Sequence, residues 1–281
     1  MDIQKRIAAI HDISGFGKCS LTVALPVLSA AGFEVSVIPT AVLSTHTAVK
    51  EGFTCRDLTC DMLDFAKHWK SIGLTFDAIY SGYLGSAEQI DIVCDIFDMF
   101  KTKDTLAVVD PAMADNGKMY ALFDRSFADE MKKLCKKADI IVPNMTEAAF
   151  LLDREYKEGP YTKEYIIDIL KSLSELGPKR IVLTGVFFDD KSLGAACYDS
   201  ETDKVDIILK KRFLGMFHGT GDVFASALTA ALTKGKSLKT STKIAVGLTS
   251  DSLKRTANGF TDHRYGVDFE RSLPKFIKML K

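Results

Sequence analysis

The sequence has no surplus of charge: Lys+Arg and Asp+Glu each number 37, for a net charge of zero. It therefore lacks the global field that draws a chain to nucleic acid or to an anionic bilayer. No apolar run approaches the ~20 residues of a membrane-crossing helix, so no spanning segment is expected. The start, Met1-Asp2-Ile3-Gln4-Lys5-Arg6, runs straight into a strand-like stretch without the layout of a secretory signal. The six cysteines (Cys19, Cys55, Cys60, Cys94, Cys135 and Cys197) are scattered, with no CxxC pair. That spacing argues against a zinc site or a disulfide framework and for a reduced, cytoplasmic location. Internal repeats, low-complexity tracts and linkers are also lacking, and one domain over residues 1–281 is expected.

What is present is an ordinary globular balance, 47% hydrophobic and 26% charged. Short apolar runs alternate with amphipathic stretches at βαβ spacing. Strands are expected at Arg6–Asp12, Glu34–Thr40, Phe76–Ser81, Thr105–Asp110, Asp139–Val142 and Lys179–Gly185. Leu193–Tyr198 and Lys204–Leu209 read as a pair of strands about a polar turn. Helices are expected at Leu21–Ala31, Arg56–Ser71, Ser86–Lys101, Phe127–Ala138, Tyr161–Leu176, Lys239–Arg255 and Asp268–Lys278. Ser86 followed by Gln89 has the spacing of a capping box, and Trp69 reads as core or surface cover. The alternation predicts an α/β fold, a three-layer α/β/α sandwich with a mostly parallel central sheet.

Polar residues close one strand after another: Asp12, Ser81, Asp110, Asn144 and Thr184. In a parallel sheet these ends share one edge, where such folds bind ligands, so they should converge on a single crevice. The loop Ile13-Ser14-Gly15-Phe16-Gly17-Lys18-Cys19-Ser20 lies at that edge. It resembles neither a complete dinucleotide fingerprint nor a Walker A, because Ser20 replaces the third glycine and Cys19 the hydroxyl after Lys18. Asp12 and Ser14 read equally as helix caps or ligand contacts. His46, in the hydroxyl-rich run Val42-Leu43-Ser44-Thr45-His46-Thr47, reads as a structural hydrogen-bond partner or a ligand contact.

The densest signal is Phe217-His218-Gly219-Thr220-Gly221-Asp222, followed by a small-residue apolar helix. Gly219, Thr220 and Gly221 at a helix N-terminus offer backbone N–H groups and dipole to an anion. Asp222 in the first turn reads as a cap or as a carboxylate able to accept a hydroxyl proton during phosphoryl transfer. Glu147 after Pro143-Asn144 reads first as an acid favoured by a helix dipole.

Together these residues resemble the ribokinase-like superfamily, whose signature is similar to Gly219-Thr220-Gly221-Asp222. The runs Ser81-Gly82-Tyr83-Leu84-Gly85-Ser86, Asp110-Pro111-Ala112-Met113 and Pro143-Asn144-Met145-Thr146-Glu147 resemble its vitamin-kinase branch, and most closely the pyridoxal kinases. Ser44-Thr45-His46-Thr47 is similar to that family's Ser-Asn-His-Thr, and the matches span Ile7 to Arg255 in order. The resemblance implies ATP-dependent phosphorylation of the 5′-hydroxymethyl of pyridoxal, pyridoxine or pyridoxamine. Asp222 would be the base, and the Gly219–Gly221 amides would hold the γ-phosphate. Asp110 and Glu147 would position Mg²⁺, directly or through water. Asp115, Tyr120, Asn144, Glu147 and Thr184 would serve ATP, and Asp12, Ser14, His46, Thr47 and Tyr83 the vitamin. A monovalent cation such as K⁺ and a homodimer belong to the same implication. The first loop lacks the Gln-Ser-His of pyridoxal kinases and is closer to the Ser-Asp-x-Ser-Gly of hydroxymethylpyrimidine kinases. That makes a hydroxymethylpyrimidine the alternative substrate; a non-catalytic vitamin-binding regulator is the alternative of another class.

Overall fold

The structure, a computed structural model, describes residues 3–47, 52–215, 217–259 and 263–281. Met1 and Asp2, part of the start read for a leader, lie outside the described residues. Ile7 to Ile10 are buried on both faces, which is why the first strand reads as an unbroken apolar run.

The chain opens with strand β1 (Arg6–Phe16), helix α1 (Leu21–Ala30), β2 (Glu34–Thr45), β3 (Cys55–Asp57) and α2 (Thr59–Ser71). There follow β4 (Ala78–Ser81), α3 (Ala87–Phe100), β5 (Leu106–Val109) and a small hairpin of β6 (Ala114–Asp115) and β7 (Lys118–Met119). Next come α4 (Arg125–Lys137), β8 (Ile140–Ile141), α5 (Met145–Leu151), α6 (Lys163–Ser174) and β9 (Arg180–Val186). The chain continues through β10 (Ser192–Asp199), β11 (Lys204–Lys211), α7 (Thr220–Thr233), α8 (Leu238–Asn258) and α9 (Leu273–Leu280).

The main sheet has nine strands in the order β11-β10-β9-β8-β5-β4-β1-β2-β3. β2, β1, β4, β5, β8 and β9 run parallel, while β3, β10 and β11 add antiparallel edges. One apolar layer forms under α2, α3, α4, α5 and α6. A second forms under α1, α7, α8 and α9. The α/β/α sandwich expected from the alternation is the fold observed. Trp69 packs half-buried against Phe76, with ring centroids 5.5 Å apart. Among the described residues no helix is long and apolar enough to cross a membrane.

The main departure concerns β1 and β2. Both continue past the sheet's carboxyl edge, pairing Ile13 with Val42, Ser14 with Leu43 and Phe16 with Thr45 after a bulge at Asp12. Residues 13–16, the first half of the segment read as a glycine loop, are therefore strand, while residues 17–20 remain a loop. Ladder pairing overrides the weak β-propensity of Gly15, whose missing side chain lets the Leu43 carbonyl approach. Arg56 and Asp57, expected as the start of a helix, belong instead to the edge strand Cys55–Asp57 that pairs with β2. The final helix starts at Leu273 rather than Asp268, with Pro274 in its first turn.

Ser86 caps α3 by accepting from the Gln89 amide at 3.2 Å. The reciprocal half of the expected box falls one residue earlier, because Gln89 Oε1 accepts from Gly85 N at 2.7 Å. Gln89 Nε2 donates to the Thr40 carbonyl (3.1 Å) and the Thr59 hydroxyl (2.9 Å), tying α3 to β2 and α2. Gln89→Met keeps the length and strands these buried partners. It should cost about 1–3 kcal/mol, read as a lower urea midpoint at unchanged slope.

Candidate active site

Three of the five polar strand ends, Asp110, Asn144 and Thr184, converge on one cavity, whereas Asp12 and Ser81 are buried and do not line it. Gly82 N donates to the Ile10 carbonyl and Asp110 N to Ser81, and Asn144 bridges to Thr184. Asp110, Asn144, Glu147 and Thr184 then share a cavity of about 630 Å³ with Asp115, Tyr120 and the loop Gly219–Asp222.

Gly219 caps α7 in the left-handed region, at φ 73 and ψ 4. A Cβ there would lie 1.9 Å from the Lys18 carbonyl, so only glycine fits. At Gly221 an added Cβ would meet nothing within 4 Å. Its small size keeps the cavity open rather than relieving a clash. The Thr220 hydroxyl donates to the Phe217 carbonyl at 3.2 Å and braces the loop. Asp222 is the acid of the first turn of α7, and its carboxylate is engaged by its own backbone N–H. Its carboxylate faces the Ser20 N–H, which a buried Ser20 at φ 49 holds in place. Burial pushes the Asp222 carboxyl up to about 7, with the Asp12 charge adding to the rise and the Ser20 amide opposing it.

Asp110 and Glu147 are both held well above the ordinary carboxylate range. Burial is the first cause for each, followed by the Asp222 charge for Asp110 and the Asp110 charge for Glu147. Asn144 and Glu147 form a true capping box for α5. Asn144 Oδ1 accepts from Thr146 N (2.8 Å) and Glu147 N (2.9 Å), while its amide donates to the Ala114 carbonyl at 2.8 Å. Glu147 accepts from Asn144 N at 2.7 Å and from Met113 N at 3.2 Å, so both its oxygens hold backbone. Asn144 and Glu147 thus form the capping box of α5 and at the same time line the cavity. Asp115 sits on the β6–β7 hairpin, turned by Asn116 and Gly117, both at positive φ. Gly117 N donates to the Thr146 hydroxyl at 3.0 Å, laying the hairpin over the start of α5.

A second group lies across Asp222. Asp12 and Ser14 are buried on β1, and neither caps α1, whose N-cap Ser20 carries no side-chain cap. The Ser14 hydroxyl lies 3.5 Å from Asp12 Oδ2 and accepts from the Cys19 thiol at 3.3 Å. Tyr83 is half-buried between this group and the Tyr120 ring, 6.4 Å away. Its phenol is pushed up to about 12 by burial and then by Asp12. His46 Nε2 donates to the Arg264 carbonyl at 2.7 Å, which fixes the ring. Thr47 stands exposed beyond it, at the end of the described stretch.

The structure adds Lys210, Lys211 and His218 to the cavity wall, and Cys19 to the second group. The sequence read Lys204–Leu209 as a strand leading into the loop before α7, and no ligand reading was attached to Lys210 and Lys211, which follow it. His218 had a signal in its place directly before Gly219. Burial and then the Asp222 charge raise the Cys19 thiol far above its usual range, so it is not a ready nucleophile.

A nine-stranded, mostly parallel sheet with a glycine loop opening a helix and a buried carboxylate at its carboxyl edge is the architecture of a ribokinase-like, ATP-dependent phosphotransferase. Residues 30–265 match the phosphomethylpyrimidine kinase family, and the chain belongs to it. The chain is 28% identical to the pyridoxal kinase of Vibrio campbellii over 235 residues, covering 82% of this chain and 80% of that protein. A Bacteroides thetaiotaomicron protein named for phosphomethylpyrimidine kinase and crystallised with pyridoxal is 39% identical. It superposes with a TM-score of 0.93, covering 98% of this chain and 96% of that one. The pyridoxal kinase of Lactobacillus plantarum is 30% identical with a TM-score of 0.89, over 99% and 98% of the two chains.

The contrast between the two loop glycines can be measured. Gly219→Ala should lose about 1–3 kcal/mol of stability from its backbone conformation alone. Gly221→Ala should be neutral or slightly stabilising, since helix propensity favours alanine by ~1 kcal/mol. Equal urea midpoints for the two variants would contradict the close approach at Lys18.

Proposed function

We propose that this chain transfers the γ-phosphoryl group of ATP to the 5′-hydroxymethyl of pyridoxal, pyridoxine or pyridoxamine. The observation that carries the reading is the position of Asp222. It stands at the start of α7 between the large cavity and the Asp12–Ser14–Tyr83 group.

In this reading ATP lies in the large cavity. The Gly219–Gly221 amides and the α7 dipole face the oxygens that gain charge in the transition state. The vitamin lies across Asp222, against Tyr83, Ser14 and Asp12. Asp222 takes the hydroxymethyl proton, the freed oxygen bonds to the γ-phosphorus, and the bond to the bridging oxygen breaks to release ADP. A carboxyl near 7 suits this task, being a stronger base than a free carboxylate yet substantially ionised at neutral pH. The remaining work is positioning of the two reactants.

The fit of Mg²⁺ rests on the carboxylates. Among the described residues no group of three or more His, Cys, Asp or Glu is arranged to hold an ion. Mg²⁺ usually keeps several waters and takes one or two carboxylates plus phosphates, so such a cage is not required. Asp110 suits that role, and Glu147, bonded to Met113 N and Asn144 N, would meet the ion through water. When bound, the ion neutralises charge on the phosphates. Homodimerisation, dependence on a monovalent cation, a cytoplasmic location and a single-domain chain remain part of this proposal.

A hydroxymethylpyrimidine is the second reading, favoured by the matched family's name and by the first strand end, His11-Asp12-Ile13-Ser14-Gly15. The pyridoxal bound to the Bacteroides relative favours the first.

ATP consumption measured with each vitamer and with hydroxymethylpyrimidine should be fastest with a pyridoxal-type vitamer. Preference for the pyrimidine would change the substrate and keep the mechanism, whereas vitamin binding without turnover would leave a regulator. Asp222→Asn should keep ligand binding and lose ~10²–10⁴-fold in turnover. In the wild type, kcat/KM for the vitamin should rise with pH and level off above about 7, as the raised Asp222 carboxyl ionises. A profile flat from pH 5 to 8 would remove Asp222 from the role of base.

A further inference from the structure

The large cavity is acid-rich for an anionic cargo. Asp110, Asp115, Glu147 and Asp222 line it, against Lys210 and Lys211 from β11. Phosphates entering it meet carboxylates, and positive charge is needed close to where the phosphoryl group transfers. Among the described residues of the wall, the remaining side chain able to take on a positive charge is His218.

Its place is specific. His218 directly precedes Gly219, so its half-buried ring stands beside the amides that face the phosphate. Its centroid lies 5.1 Å from that of His46 at the end of β2, with the planes tilted by 41°. Asp115, from the β6–β7 hairpin, bears on it electrostatically. His46 is anchored by its bond to the Arg264 carbonyl, so the two rings meet at a fixed junction between the nucleotide cavity and the vitamin side.

We propose that His218 is a phosphate-contacting residue whose imidazole takes one proton from solvent as ATP binds, forming an imidazolium between Asp115 and the γ-phosphate. The inference rests on the reading of the cavity as an ATP site. In the free protein, burial and then the neighbouring His46 hold His218 below the ordinary histidine range, while Asp115 pulls it upward. The ring is therefore neutral near pH 7 before nucleotide arrives. Phosphate oxygens beside it, joined with Asp115, favour the charged form and a charge-assisted hydrogen bond. Asp110, Glu147 and Asp222 across the cavity act in the same direction, and Lys210 and Lys211 oppose it. Proton uptake of this kind makes ATP bind more tightly as pH falls, opposite in sign to the dependence carried by Asp222.

The test is a histidine NMR titration of the full chain, with and without Mg²⁺ and the non-hydrolysable analogue AMP-PCP. The His218 resonance is assigned by its loss in His218→Gln. The expected result is an upward shift of at least about one pKa unit on binding the analogue. In kinetics, KM for ATP should rise between pH 6 and 8.5 in the wild type. His218→Gln should have a KM about tenfold higher at the acid end, the size of one hydrogen bond to a charged group, and little pH dependence. Analogue binding with no His218 shift, or parallel pH curves in the two proteins, would overturn this role and leave the kinase reading intact. No binding of AMP-PCP by the wild type would overturn both. If His218→Gln fails to fold, His218→Asn provides the assignment, and the wild-type shift still decides.

Discussion

The site depends on one close approach, between the backbone of Gly219 and the carbonyl of Lys18. Three segments meet there. Lys18 N donates to the Tyr265 carbonyl at 2.7 Å. A Cβ on Gly266 would lie 2.7 Å from the same Lys18 oxygen that Gly219 approaches. The connection from β1 to α1, the loop before α7 and the segment before α9 are thus locked at van der Waals contact without side chains between them. Interiors this dense transmit displacement instead of absorbing it. The same lock brings Ser20 N to the Asp222 carboxylate and the Arg264 carbonyl to His46.

Burial then does the electrostatic work. Asp12, Asp110, Glu147 and Asp222 are all raised, and desolvation is the first cause in each. Separate hydrogen bonds sort them into roles. Glu147 spends both oxygens on backbone amides and holds the hairpin and α5 together. Asp12 is engaged by serine hydroxyls. Asp222, engaged by the backbone amides of Ser20 and of its own residue and lining the cavity, keeps a proton affinity near neutrality.

The layers, the parallel sheet and the convergence of Asp110, Asn144 and Thr184 were legible because they follow from local patterns: apolar runs closed by a polar residue, repeated at βαβ spacing. The extension of β1 and β2 was not, because Ser14 and Gly15 signal a loop locally and only pairing with 42–45 makes them strand. The box at Ser86 was half legible; the reach of Gln89 to Thr40 and Thr59 is a tertiary fact. Asp222 could be singled out from its glycine loop, whereas Lys210 and Lys211 could not, since two lysines at the end of a strand read as an ordinary solvated face until the fold turns them to the cavity. The two readings of Asn144 and Glu147, cap and cavity wall, compete in the sequence and coexist in space.

The division of labour between the two sides of Asp222 has a consequence for how such a chain can change. On the proposed function, the phosphate machinery would lie at the end of β5, on α5, the small hairpin and the start of α7, and the vitamin group on the extended ends of β1 and β2 and on Tyr83. On that reading, substitutions on the extended strand ends would alter which ring is accepted without disturbing the transfer itself. Substrate range and catalytic competence can therefore drift separately, and a lineage can exchange one small aromatic alcohol for another through intermediates that never stop being kinases.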